Sequence, residues 1–130
     1  MPHEEENMKK ILVVDDDPDV REFCKTVLEA AGYTVCCVSE AKAAQEAAKK
    51  EQPDLAILDV MMEEIDSGFK LAELLAKSNP KLPMLLFTSI ADISAQNFDT
   101  TSLPVAELIQ KPVKPKELAD KVGKLLAKAK

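Results

Sequence analysis

The chain has no tryptophan, one histidine (His3) and only 4% aromatic residues. That leaves few platforms for stacking unpaired bases. Excess positive charge is missing too: the formal net charge is −6, which argues against direct nucleic-acid binding, since that needs clustered Lys and Arg to displace counterions. The three cysteines are Cys24, Cys36 and Cys37, an odd number with two adjacent and no CxxC spacing. A disulfide framework and a zinc site are both disfavoured by that arrangement, and partly buried thiols in a reducing compartment are expected. No apolar run approaches the length that crosses a bilayer; Met84-Leu85-Leu86-Phe87 is typical. No basic start followed by an apolar block and a small-residue cleavage site is present, so secretion is not indicated and a cytoplasmic location is expected.

What is present is the composition of an ordinary globular domain: 130 residues, 46% hydrophobic and 31% charged. Met1–Lys9 is polar, with Glu4-Glu5-Glu6, and reads as a mobile leader; residues 10–130 read as one domain. Ile11-Leu12-Val13-Val14 has the β-branched, uninterrupted apolar character of a strand buried on both faces. Asp17-Pro18 then supplies an N-cap and a first-turn proline. Val20, Phe23, Cys24, Val27, Leu28 and Ala31 follow at helical spacing, and Gly32 is placed to end the helix in a left-handed conformation.

Tyr33–Val38 reads as a second strand and Glu40–Glu51, rich in Ala, Lys and Glu, as a second helix. Gln52-Pro53 ends it. Leu55–Leu58 is a third buried strand running into Asp59, and Ser67–Lys77 a helix carrying Phe69, Ala72, Leu75 and Ala76 on one face. Met84–Phe87 and Ala106–Gln110 are the fourth and fifth strands. The last helix begins near Pro115 and buries Leu118, Val122, Leu125 and Leu126. Strands alternating with helices predict an α/β, doubly wound (βα)5 three-layer sandwich around a parallel sheet.

In such sheets the site lies at the carboxyl ends of the strands. Asp15-Asp16-Asp17 follow the first strand, Asp59 the third, Thr88-Ser89 the fourth and Lys111 the fifth. With strand order 2-1-3-4-5 these side chains converge. Carboxylates crowded on one rim repel one another, and a hard, oxygen-preferring cation such as Mg2+ relieves the repulsion. Asp59 is then a candidate nucleophile towards a phosphoryl group, with the Thr88 hydroxyl and the Lys111 ammonium available to the transferring oxygens. Taken singly, Asp16 and Asp17 are equally well read as helix caps and Lys111 as a surface charge; the set of complementary groups at four strand ends is what points to chemistry.

The motifs Ile11–Pro18, Leu58-Asp59-Val60-Met61-Met62, Phe87-Thr88-Ser89 and Lys111-Pro112 resemble, in this order, the receiver domains of two-component response regulators, the CheY-like superfamily of flavodoxin-like fold. The resemblance covers roughly residues 9 to 128. It implies that Asp16 binds Mg2+ directly and Asp15 at least partly through water, and that Asp59 is both metal ligand and phosphoacceptor. It further implies that the Met61 backbone carbonyl is a metal ligand, that Thr88 hydrogen-bonds the phosphoryl group and that Lys111 pairs with it. The implied phosphodonor is a phosphohistidine on a sensor histidine kinase or a phosphotransfer protein. The implied output is altered binding of an unidentified protein or of an output domain missing from this sequence. Such a domain is not a conventional enzyme; it assists its own phosphorylation and dephosphorylation.

Three departures from the family pattern stand out. The loop after Asp59 reads Met61-Met62-Glu63-Glu64-Ile65-Asp66-Ser67-Gly68, without the usual proline and with one extra residue. Leu108 stands where an aromatic switch residue is common. The stretch Ala91–Val105 lacks an apolar stripe and contains the turn-favouring Asp99–Pro104, which predicts a short or mobile fourth helix or a plain loop. Met61 and Ile90, two positions after Asp59 and Thr88, flank the path of the hydrolytic water in this family. Both are apolar, which predicts slow self-dephosphorylation.

Two other classes fit the residues less well. A receiver-like docking module that is never phosphorylated would have no need of the full set Asp15, Asp16, Asp59, Thr88 and Lys111. A flavin carrier wants a Gly/Ser/Thr-rich loop where Asp15-Asp16-Asp17 stand, and an aspartyl-phosphate hydrolase wants its nucleophile after the first strand together with a cap insertion.

Overall fold

The computed structural model describes residues 9–59, 67–79, 81–88, 106–110 and 114–128. Within them the order is β1 (Lys10–Val14), α1 (Pro18–Ala30), β2 (Thr34–Val38), α2 (Ala41–Glu51), β3 (Leu55–Asp59), α3 (Ser67–Ser78), β4 (Met84–Thr88), β5 (Ala106–Gln110) and α4 (Pro115–Lys128). The leader residues 1–8 and the stretch 91–105 lie outside the described residues, so the expectations placed on them are untouched.

All strand pairings are parallel, as the alternation of strands and helices predicts, and the order is β2-β1-β3-β4-β5, the one under which the strand-end residues converge. Alternation along each strand divides the core into two layers. On one face Leu12, Val14, Ala56, Leu58, Met84 and Leu86 pack against Ala44 of α2 and Leu71, Ala72 and Leu75 of α3. On the other, Ile11, Val13, Leu55, Ile57, Leu85 and Phe87 meet Cys24 and Leu28 of α1 and Leu118, Val122, Leu125 and Leu126 of α4. The three-layer, doubly wound α/β sandwich follows directly. β1 and β3 are buried on both faces; β2 is an edge strand and only half-buried. Its adjacent cysteines accordingly part company, Cys36 facing the α2–α3 layer and Cys37 the α1–α4 layer.

The start and stop of α1 fix the path of the chain beside the sheet. Asp17 is the N-cap, its Oδ1 accepting from the Asp19 N–H at 2.9 Å, and Pro18 occupies the first turn. At the other end the Tyr33 N–H reaches the Leu28 carbonyl at 3.0 Å and the Gly32 N–H reaches Glu29 at 3.1 Å. With Gly32 at φ +99° this is a Schellman termination. It places Ala31 outside the helix and exposed, rather than on the buried stripe where its spacing put it. Leu71, which the sequence stripe of α3 omitted, is 1% exposed, while the side chain of Phe69 lies outside the described residues. Cys24 is fully buried, more so than expected; Cys36 and Cys37 are half-buried, and all three thiols are free. α2 is closed by Gln52 in the left-handed region, φ 49°, with its N–H on the Ala48 carbonyl.

Candidate functional site

β1 and β3 run side by side, with Val14 opposite Leu58. The chain therefore delivers Asp15 and Asp59 to the same edge of the sheet, at the carboxyl ends of two neighbouring buried strands. Asp15 and Asp59 are the two charged residues buried among the described residues, at 1% and 6% exposure. Asp16, next along the chain, is exposed. One carboxylate oxygen from each of Asp15, Asp16 and Asp59 falls within 4.8 Å of the others. An all-oxygen set with two members withdrawn from water fits a hard divalent cation, because unneutralised carboxylates at this spacing would oppose one another.

Local hydrogen bonds hold the loop that carries two of these groups. The Asp15 N–H donates to the Val38 carbonyl of β2 at 3.2 Å, extending the sheet ladder by one residue. Asp15 Oδ1 accepts from the Asp17 N–H at 2.9 Å, a tight Asx-type turn that sends the chain into α1. The guanidinium of Arg21, one turn into α1, donates from Nη1 to the Asp15 backbone carbonyl at 2.7 Å. Asp17 is thus a helix cap and stands outside the carboxylate set.

Thr88 ends β4 opposite Gln110 of β5, while Asp59 is paired one position earlier with Phe87. Its backbone is therefore at the same sheet edge; its side chain is outside the described residues, as is that of Leu108. Met61, Ile90 and Lys111 also lie outside them, Lys111 following Gln110 directly in sequence. The three carboxylates named from sequence are brought together. Arg21 was missed: a cation in the first turns of the helix that follows Asp15-Asp16-Asp17 was the available signal, but helical spacing alone does not show that it turns back onto the loop.

One group titrates away from its ordinary position near this end of α1. Burial pushes the Cys37 thiol up, the neighbouring Cys36 adds to the effect and Lys25 and Arg21 oppose it. Cys37 Sγ lies 3.7 Å from the Arg21 carbonyl, to which it donates.

Comparison with known proteins places this geometry in context. Residues 11–123 match the family described as response regulator receiver domain. The chain is 33% identical over 122 residues to the response regulator receiver protein CpdR of Brucella abortus, covering 94% of this chain and 100% of that one. It is 35% identical over 126 residues to the transcriptional regulatory protein GltR of Pseudomonas aeruginosa, covering 95% of this chain but 51% of GltR. The chain spans about half the length of most of the curated relatives it matches, 49% for a ycf27 protein of Cyanophora paradoxa. Among solved structures, a CheY-like response regulator receiver domain protein from Methanospirillum hungatei superposes with a TM-score of 0.84 at 28% identity, over 95% of this chain and 97% of that one. CheY4 of Vibrio cholerae, at 24% identity and a TM-score of 0.81, shares the fold. Among the described residues no helix is long and apolar enough to cross a membrane.

Proposed function

The chain belongs to the response regulator receiver domain family of two-component systems, and from that membership we propose that it accepts a phosphoryl group on Asp59 with Mg2+ bound beside it. The observation that carries the reading is the convergence of Asp15, Asp16 and Asp59 within 4.8 Å at the ends of β1 and β3. Asp15, Asp16 and Asp59 would hold the ion, with the Met61 carbonyl as a further oxygen. The ion supplies neutralisation of the carboxylates and of the phosphoryl oxygens that approach them.

An Asp59 carboxylate oxygen attacks phosphorus, forming an O–P bond as the P–N bond to the donor histidine breaks. The electron pair of that bond returns to the imidazole nitrogen, which takes up a proton. Burial of Asp59 strips its carboxylate of bulk water and leaves it facing the site. The Thr88 hydroxyl and the Lys111 ammonium meet the transferred oxygens, where charge develops. The chain does this as a participant in a transfer, assisting its own phosphorylation and the later hydrolysis of the phosphoaspartate rather than turning over a separate substrate.

The donor would be a sensor histidine kinase or phosphotransfer protein, and the consequence a change in binding to an output protein or output domain, in the cytoplasm. A small acyl phosphate substitutes for the donor in the test. Acetyl phosphate with Mg2+ should add one phosphoryl group to the intact protein, and Asp59→Asn or chelation of Mg2+ should prevent it. A protein that stays unmodified under these conditions would refute the reading.

A further inference from the structure

Arg21 bonds directly to the backbone of the acidic loop. Its Nη1 donates to the Asp15 carbonyl at 2.7 Å, a short contact for a charge-assisted bond to a neutral acceptor. The bond crosses six residues, from the second turn of α1 back to the last residue before the chain turns. Arg21 is itself anchored twice through its backbone. Its N–H closes the first helical bond onto the Asp17 carbonyl at 3.1 Å, and its carbonyl accepts from Cys37 Sγ of β2 at 3.7 Å.

The loop Asp15–Asp17 is therefore held from four sides: by Val38 at the Asp15 N–H, by Arg21 at the Asp15 carbonyl, by the Asp17 N–H at Asp15 Oδ1, and by the Asp17 cap on Asp19. The first and third of these fix the position of Asp15. The Asp15 carbonyl is the peptide plane leading into Asp16, the exposed member of the set. Asp16 leaves directly from that plane, so the plane's orientation bears on the direction of its carboxylate. The Arg21 bond holds the carbonyl of that plane.

We infer that Arg21 is a positioning residue for the cation site, fixing the Asp15–Asp16 peptide so that both carboxylates face Asp59. The inference rests on the reading of that site given under Proposed function. Arg21 touches no reacting atom, and its positive charge works against a cation nearby. Positioning and charge thus pull in opposite directions and can be told apart. Groups that orient metal ligands from outside the ligand set are commonly worth 10- to 100-fold in metal affinity. Screening by solvent at the partly exposed Arg21 leaves the charge effect smaller.

The test is a Mg2+ titration of the intact protein by calorimetry, in the absence of any phosphodonor, on wild type, Arg21→Met and Arg21→Lys. Met keeps length and helix propensity but has neither donor nor charge; Lys keeps a donor and the charge. Positioning predicts binding weakened about tenfold in Arg21→Met and largely recovered in Arg21→Lys. Phosphorylation by acetyl phosphate in Arg21→Met should return to the wild-type rate once Mg2+ is raised to saturation. Val27→Ala, a helix α1 change that touches the core but not the loop, serves as a stability control. It should lower the Tm without changing Mg2+ affinity. Equal or tighter Mg2+ binding in Arg21→Met overturns the inference, as does an equal loss in Val27→Ala of matched Tm. If Arg21→Met fails to fold, Arg21→Lys is compared with Arg21→Gln, whose shorter amide reaches less far and should bind Mg2+ more weakly than Lys. A wild type that binds no Mg2+ in the millimolar range would refute the reading of the site itself.

Discussion

Val14 and Leu58 are Cα partners in the β1–β3 register, so the residues that follow them, Asp15 and Asp59, leave two neighbouring parallel strands at the same level. Parallel register makes this possible over a sequence separation that no local motif could span. Both aspartates are buried by the strands and helices that deliver them. Two carboxyl groups withdrawn from water at one sheet edge suit a positively charged partner, and Asp16 completes a set suited to a cation.

The two glycines flanking the α1–α4 layer should respond oppositely to the same substitution. Gly32 sits at φ +99° with open space around a would-be Cβ, so Gly32→Ala carries backbone strain alone, about 1–2 kcal/mol. Gly123 lies inside α4, where a Cβ would meet only the Tyr33 hydroxyl at 3.9 Å. Gly123→Ala should therefore stabilise by about 0.5–1 kcal/mol. Urea denaturation of both variants checks the pair; the same sign for both would contradict it.

Alkylation should find Cys37 sluggish. Its thiol is held up by burial and by Cys36, against the opposing Lys25 and Arg21. Less of it is thiolate near neutral pH than for an unperturbed cysteine, and thiolate is the reactive form. Rates of iodoacetamide modification at Cys37, followed by peptide mass spectrometry, should lie below those of a cysteine in an unfolded peptide at pH 7.5. The gap should narrow as pH rises and the thiol ionises.

The fold was legible wherever burial is continuous or strictly periodic. Ile11–Val14, Leu55–Leu58 and the α4 set Leu118, Val122, Leu125 and Leu126 sit where their pattern puts them. Ala31 did not, because the Schellman turn at Gly32 ends the helix one residue earlier than spacing suggests. Leu71 was passed over because Leu71, Ala72, Leu74 and Leu75 are nearly contiguous, and which of them faces inward depends on how α3 is rotated against the sheet. Leu75 is buried and Leu74 is 44% exposed. At the site, residue type and strand-end position sufficed to gather Asp15, Asp16 and Asp59. The Arg21 contact depends on the path of a three-residue loop, and hydrophobic pattern carries no information about that.

Persistence of the phosphorylated form is the next expectation. Met61 and Ile90, two residues past Asp59 and Thr88, offer no polar group to orient an attacking water. After removal of excess acetyl phosphate, the phosphorylated protein in Mg2+ should decay over minutes or longer, followed by intact mass. Met61→Asn should shorten its lifetime several-fold. Complete loss within seconds in the unaltered protein would contradict the expectation.

The most direct measurement is the location of the phosphoryl group. Borohydride reduces an acyl phosphate on aspartate to homoserine, which peptide mass spectrometry reads at single-residue resolution. After treatment with acetyl phosphate and Mg2+, the account predicts homoserine at position 59 and at neither 15 nor 16, and none when Mg2+ is withheld. Homoserine at position 15 or 16, or no trapped aspartate at all, would contradict it.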